Sequence, residues 1–412
     1  LINPGIYSER VIIDSIQGTA TSPIVLIAKD PNNKPHFLDG ILINHSSFII
    51  IKSLEVELQK TEKVGAIRIL GSNHVTVTDS YIHDGGENYS ANIIIAFSDQ
   101  NIGEDKNGYH LIQNNIISDE TSSPKGKKFT HKYVKGKTYY GIKLDDFPGG
   151  YNTIRGNTIY GVIDGIASGG DEKEQPVMTP DEENLLQTWT QQNIDIYDNI
   201  IIGSCQNAIS IASVYPGPIF ILRNYLYGFH ENAAKMNTKG QEVTRNIYWY
   251  HNTIKQIEEA SNCVLRGNPG LTNNIVFRNN ILEATTKPID TYTFETEVSH
   301  TNHSFDYNLL YTKKSEAQFA WGDKIETRKI YNSFYEFQHG TLQDFGIMQE
   351  ENGIFAKPLL DLTPIKGYSI KNGIISLELL KNSPGIDKGI IIKGINTNFK
   401  GKRPDIGAFE LE

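Results

Sequence analysis

Lys143, Asp145 and Asp146 stand together in YGIKLDD, and Lys235 stands in NAAKMNTKG. A lysine held neutral by burial or a neighbouring cation can take a proton from a carbon beside a carboxylate. Positive charge close by then stabilises the enolate. Two carboxylates facing one acetal carbon can instead divide acid and base work, their separation deciding the stereochemistry. Carboxylates also hold Ca²⁺, which takes several oxygens, and Asp145, Asp146 and Asp171 are the candidates for that role. Arg266 in VLRGNPG suits a bidentate grip on a substrate acid. His230, Trp189 and Lys239 complete the binding candidates. His83 in YIHDGG reads as a turn histidine, and His251 belongs to a structural corner.

What must position these residues is a repeat. LIQNNII, TIRGNTI, DIYDNII, ILRNYL, WYHNTI, VFRNNI and DYNLL share one asparagine slot, at Asn115, Asn157, Asn199, Asn224, Asn252, Asn280 and Asn308. Ser53 and Ser80 read as two earlier occupants of it. The last four asparagines are 28 residues apart, and such a period signals a solenoid. Apolar residues alternate within each copy, which is a strand signal, and a helical period of 3.6 is nearly absent. Three short strands and three turns per copy predict an all-β fold: a single-stranded right-handed parallel β-helix with three strands per coil. Asn tolerates left-handed torsions and, stacked at the strand spacing, can bond the coils above and below. These asparagines are therefore expected to be structural.

Strand alternation sends Ile142, Leu144, Ala234 and Met236 inward and Lys143 and Lys235 outward, with Ala167 and Ser210 outward between the lysines. Small residues there leave room for a trough. The gaps from Asn115 to Asn157 to Asn199 are each 42 residues, so two long segments leave the adjoining coils. SSPKGKKFTHKYVKGK is basic, and GGDEKEQPVMTPDEENLLQTW is acidic and ends on Trp189. Long loops on a repeat scaffold usually carry binding. Tyr139, Tyr140 and Tyr215 add stacking surface nearby.

Composition narrows the classes. A net charge of −9 argues against a nucleic-acid partner, and no apolar run is long enough to span a membrane. Cys205 and Cys263 fall two coils apart, beyond disulfide reach in a regular stack, and read as free thiols. No GxSxG, HExxH, Walker or dinucleotide fingerprint occurs. The chain opens inside a first strand, so a leader is expected upstream. Residues 1–312 read as the helix, and 313–412 as C-terminal coils and a cap packed on the same solenoid.

PGIY with GTATSPIVLIA near the start, and SPGIDKG with PDIGAFE near the end, resemble the ends of bacterial right-handed parallel β-helix proteins. That set includes polysaccharide lyases and glycoside hydrolases, and the N-terminal segment also resembles the lyase group containing chondroitinase B and alginate lyases. The resemblance implies a secreted or surface-located, monomeric enzyme acting on a polysaccharide. Calcium-dependent pectate lyases of this fold combine an aspartate cluster with a lysine from a later coil, which NAAKMNTKG loosely resembles. The basic segment 124–137 and the outward lysines favour β-elimination on an acidic, uronate-containing glycan. A hydrolase using Asp145–Asp146 with Asp171 as acid and base, and a non-catalytic carbohydrate-binding solenoid, are the alternatives.

Overall fold

A computed structural model describes residues 1–59, 65–86, 90–96, 107–119, 138–145, 149–168, 193–203, 206–212, 217–229, 231–237, 243–256, 265–267, 271–285, 287–290, 302–313, 317–322, 328–365 and 374–411. The chain winds as a parallel β-helix. Its strands sort into sheets of 12, 12 and 10, each visited once per turn. Sheet A begins at Ile6–Tyr7, sheet B at Val11–Asp14 and sheet C at Ile24–Ile27. Every pairing in the coils is parallel until Lys329–Tyr331 closes sheet B antiparallel.

Isoleucine builds the interior. In sheet B, Ile41, Ile67, Ile93, Ile142, Ile166 and Ile209 stand in one inward register row, all buried. β-Branched side chains suit this because a pleated strand tolerates their stiff χ1, and each buried one contributes about 1.5–3 kcal/mol. Toward the C-terminus the core changes to stacked aromatics, Trp249, Phe277 and Phe305, with ring centroids 5.3 and 4.7 Å apart.

The asparagines form a continuous internal ladder. Asn157 donates from its backbone N and its Nδ2 to Asn199 Oδ1, both at 3.0 Å, and its Nδ2 also donates to Ile112 O. The pattern runs unbroken from Asn115 to Asn308, and Ser80 joins it by donating its N–H to Asn115 Oδ1. Two expectations are corrected here. Leu54, not Ser53, occupies the slot in the coil before, since Leu54 N donates to Ser80 Oγ. The left-handed torsion belongs to the residue before each ladder asparagine, as at Asn114 (φ 54°), Asp198 (55°) and His251 (56°). At Gly156 (φ 62°), in the same corner, a Cβ would also meet the side-chain tip Asn114 Oδ1 at 2.5 Å, which would have to shift to admit one. The ladder selects asparagine for its side-chain bonds rather than for its torsions.

The ladder ends on Glu350, whose carboxylate oxygens face Asn308 Nδ2 at 2.8 Å and Asn308 N at 3.3 Å. Burial pushes that carboxyl up to about 8, against the lowering effect of Asn308. The helix Phe334–Phe345, capped by Ser333 Oγ and ending at Gly346, lays Phe337 on Phe319 and Trp321 and closes the core. The remaining tail does more than cover the last coil. It runs back along the outer face of sheet A, where Leu360, Leu377, Leu379, Ile406 and Ala408 pack with Tyr225, Ile281 and Leu309. Gly407 N donates to Asn279 O, and Ala408 N to Thr253 Oγ1. Among the described residues no helix is long and apolar enough to cross a membrane. Cys205 and Cys263 lie outside the described residues.

Replacing Asn199 by Ala takes the partner from the Asn157 backbone N–H, from one Nδ2 hydrogen of Asn157 and from the Ile154 carbonyl in a dry interior, while Asn224 Oδ1 keeps the Asn199 N–H. At about 1–3 kcal/mol for each group left unsatisfied, the loss should total roughly 4 kcal/mol. Urea unfolding of the two proteins measures it.

Candidate functional site

The outward face of sheet B carries the predicted chemistry in register. Ile94, Lys143, Ala167, Ser210, Lys235, Arg266 and Asp290 are successive partners in one row. Lys143 and Lys235 are three strand spacings apart, about 14 Å, with the small Ala167 and Ser210 between them. Ile142, Leu144, Ala234 and Met236 all point into the core. Lys235 and Arg266 are adjacent strand positions, placing two cationic residue types one rung apart.

The two lysines differ in what surrounds them. Lys143 Nζ lies 2.7 Å from Asp145 Oδ1 and 5.1 Å from the centre of the Tyr140 ring. Its charge is therefore already compensated, and Asp145 is equally engaged. Among the described residues Lys235 makes no ion pair or hydrogen bond, and it is half-buried on the sheet face. Asp146, Asp171, Trp189, His230, Lys239 and Tyr215 lie outside the described residues, as do both long segments. Of the three candidate Ca²⁺ ligands only Asp145 is described, where Ca²⁺ takes 6–8 oxygens, and that carboxylate is already bound to a lysine. Tyr139, the residue before the Lys143 strand, donates its hydroxyl to Gln206 Oε1 at 3.0 Å.

Asp164 was not singled out by the sequence reading. It opens the strand Asp164–Ser168, wholly buried behind the row, and accepts from Asn207 N at 3.0 Å and Nδ2 at 3.1 Å. Asn232 Nδ2 in turn donates to Asn207 Oδ1 at 2.8 Å, making a second, shorter polar ladder. Desolvation raises the Asp164 carboxyl to about 6, opposed by the Asn207 bonds and by the charge of Lys235, while Glu231 adds to the rise. The signal was available: DGIAS carries Asp two residues before its first inward Ile, where QNAIS carries Asn207.

No protein-family model matches the chain, and no curated protein does. Solved structures do. The chain is similar to the crystal structure of pectate lyase Pel9A, with a TM-score of 0.53 and 14% identity, over 100% of this chain and 87% of that one. The structure of the PL6 family alginate lyase AlyGC aligns at a TM-score of 0.38 and 11% identity, over 78% of this chain and 50% of that one. At this identity the Pel9A likeness establishes the parallel β-helix fold.

Asp164 makes stability depend on pH. Below about 4 both the folded and unfolded carboxyls are protonated; between about 4 and 6 only the folded chain keeps its proton. Stability therefore falls as pH rises through that window and stays lower above it. Asp164→Asn keeps the acceptor for Asn207 and removes the titration. Its melting temperature should match the parent near pH 4 and exceed it above pH 6, by a difference worth on the order of 3 kcal/mol.

Proposed function

We propose that this protein is a carbohydrate-active enzyme that cleaves a uronate-containing polysaccharide by β-elimination on the outer face of sheet B. The observation that carries the reading is the row Ala167, Ser210, Lys235 and Arg266, two small residues leading to two adjacent cationic residues. The likeness of the fold to a pectate lyase supports the substrate class.

In this reading Lys235 is the base. Neutral Nζ takes the proton from the carbon that bears the carboxylate, and the electron pair forms a double bond to the neighbouring ring carbon. The glycosidic C–O bond on that neighbour breaks, its electron pair goes to the leaving oxygen, and that oxygen takes a proton from solvent water. Arg266 pairs with the uronate carboxylate and stabilises the negative charge spreading onto it. Lys143 with Asp145 and Tyr140 forms the far end of the row, as a binding contact rather than a base. The protein is secreted or held at the cell surface, where such polymers are met, and works as a monomer. Calcium would be an additional aid in neutralising the substrate acid, with Asp145, Asp146 and Asp171 as its candidate ligands.

Lys235→Ala and Arg266→Ala should each lower formation of unsaturated product from pectate, alginate or glycosaminoglycans at least a hundredfold. Lys143→Ala should cost less than tenfold in kcat and act mainly on KM. New reducing ends without the absorbance of an unsaturated sugar would replace this reading with hydrolysis. Binding with neither product would leave a lectin-like solenoid. Loss of activity on chelation, restored by Ca²⁺, would bring the metal into the site.

A further inference from the structure

A second cluster of chemistry-bearing side chains lies on the outer face of sheet A, near the N-terminal end and away from the lysine row. His36, Glu55 and Tyr81 are successive register partners across the strands His36–Phe37, Glu55–Val56 and Tyr81–His83. Glu57 and His83 stand two residues further along, on the same face. His36 Nε2 lies 3.6 Å from Glu55 Oε1 and 3.7 Å from Glu57 Oε2. His83 Nε2 lies 3.3 Å from Glu55 Oε1, and His83 Nδ1 3.6 Å from Glu57 Oε2. One ligand atom from each of His36, Glu57 and His83 fits within 4.8 Å of the other two.

We propose that His36, Glu57 and His83 bind a divalent transition-metal ion, Zn²⁺ first among them, with Glu55 as the additional carboxylate. Bonds of about 2.0–2.2 Å from tetrahedral zinc to nitrogen and oxygen put neighbouring ligand atoms roughly 3.3–3.6 Å apart. The two His36 contacts, at 3.6 and 3.7 Å, lie close to those edges and are too long for direct hydrogen bonds, while His83 Nε2 meets Glu55 Oε1 at 3.3 Å.

Two further observations point to a ligand. His36 Nε2 is buried and has no hydrogen-bond partner, although it faces two carboxylates. His83 Nδ1 is 2.8 Å from Asp84 Oδ2, so in the neutral ring that carboxylate holds the Nδ1 proton and the Nε2 lone pair is turned toward Glu55 Oε1, 3.3 Å away. A metal-bound histidine is usually held in this way by a carboxylate on its other nitrogen. The Tyr81 ring stacks on His83 at 4.4 Å and holds the imidazole plane.

Imidazole with carboxylate selects zinc and its neighbours over Mg²⁺ and Ca²⁺, which prefer all-oxygen sites. The side chains of His36 and Glu55 keep 23% and 30% exposure, so an ion can enter from solvent. Lys34, whose charge acts on Glu55 and Asp79, is the positive group beside the cluster that an arriving ion must tolerate. The ion would tie three successive coils together and is independent of the proposed elimination.

The test uses the full chain stripped with chelator and titrated with ZnCl₂ at pH 7.5 by calorimetry, with melting curves alongside. Expected are one ion per chain, a Kd in the micromolar range or tighter, and a melting temperature raised by several degrees. Mg²⁺ and Ca²⁺ should give no such shift. Co²⁺ should give the visible bands of a low-coordinate site. His36→Asn and Glu57→Gln should each weaken binding at least tenfold, and His339→Ala, at an exposed histidine of the C-terminal helix, should leave it unchanged. Asp84→Asn removes no proposed ligand yet should also weaken binding severalfold. Absence of stoichiometric binding, or binding indifferent to the His36 and Glu57 changes, would reduce the cluster to an ordinary ion-pair network.

Discussion

A buried amide can hydrogen-bond to its neighbours only if the coils above and below hold it at one height and one angle. In this molecule Asn115, Asn157, Asn199, Asn224, Asn252, Asn280 and Asn308 meet that condition together, each carbonyl oxygen from Asn157 to Asn308 receiving two N–H groups from the coil before and that of Asn115 receiving one. A shift of one residue in any coil would leave several donors unpaired in a dry core. That penalty outweighs the small preferences of individual strands, and it locks the register of all three sheets.

The lysine row inherits its geometry from that lock. Lys143, Ala167, Ser210, Lys235 and Arg266 come from five separate coils, and nothing local aligns them. They share a line because the inward isoleucines beside them share one, and those are in turn fixed by the amide corner. A surface of this kind is rigid in the direction across the strands. Its strand positions are fixed without any ligand, which is what the proposed reaction, driven by positioned charge, would require.

The repeat was legible because its signal is local: alternation marks strands, and one polar residue at a constant slot marks a corner. Where the slot was filled by an apolar residue beside a serine, the reading slipped by one, as at Ser53 and Leu54. The pairing of Lys143 with Asp145 was also written in the sequence, since residues two apart on a strand share a face. Its consequence, that this lysine's charge is compensated, required the distance. The histidine–carboxylate cluster was hidden for a different reason. His36, Glu55, Glu57 and His83 come from coils of unequal length, so their separations follow no period, and three-dimensional stacking alone brings them together. Asp164 lay between these cases, detectable by aligning its strand with the asparagine-bearing ones but unremarkable without knowledge of its burial.

Adjacent rungs of the amide ladder are separated by 25, 28 or 42 residues, yet the bonds between them stay at 2.9–3.0 Å. The tube is thus blind to how much chain lies between one corner and the next. Segments can be lengthened, trimmed or exchanged on the outside while the barrel beneath remains the same object. Such a scaffold decouples evolutionary change in what is recognised from the cost of refolding the body that displays it.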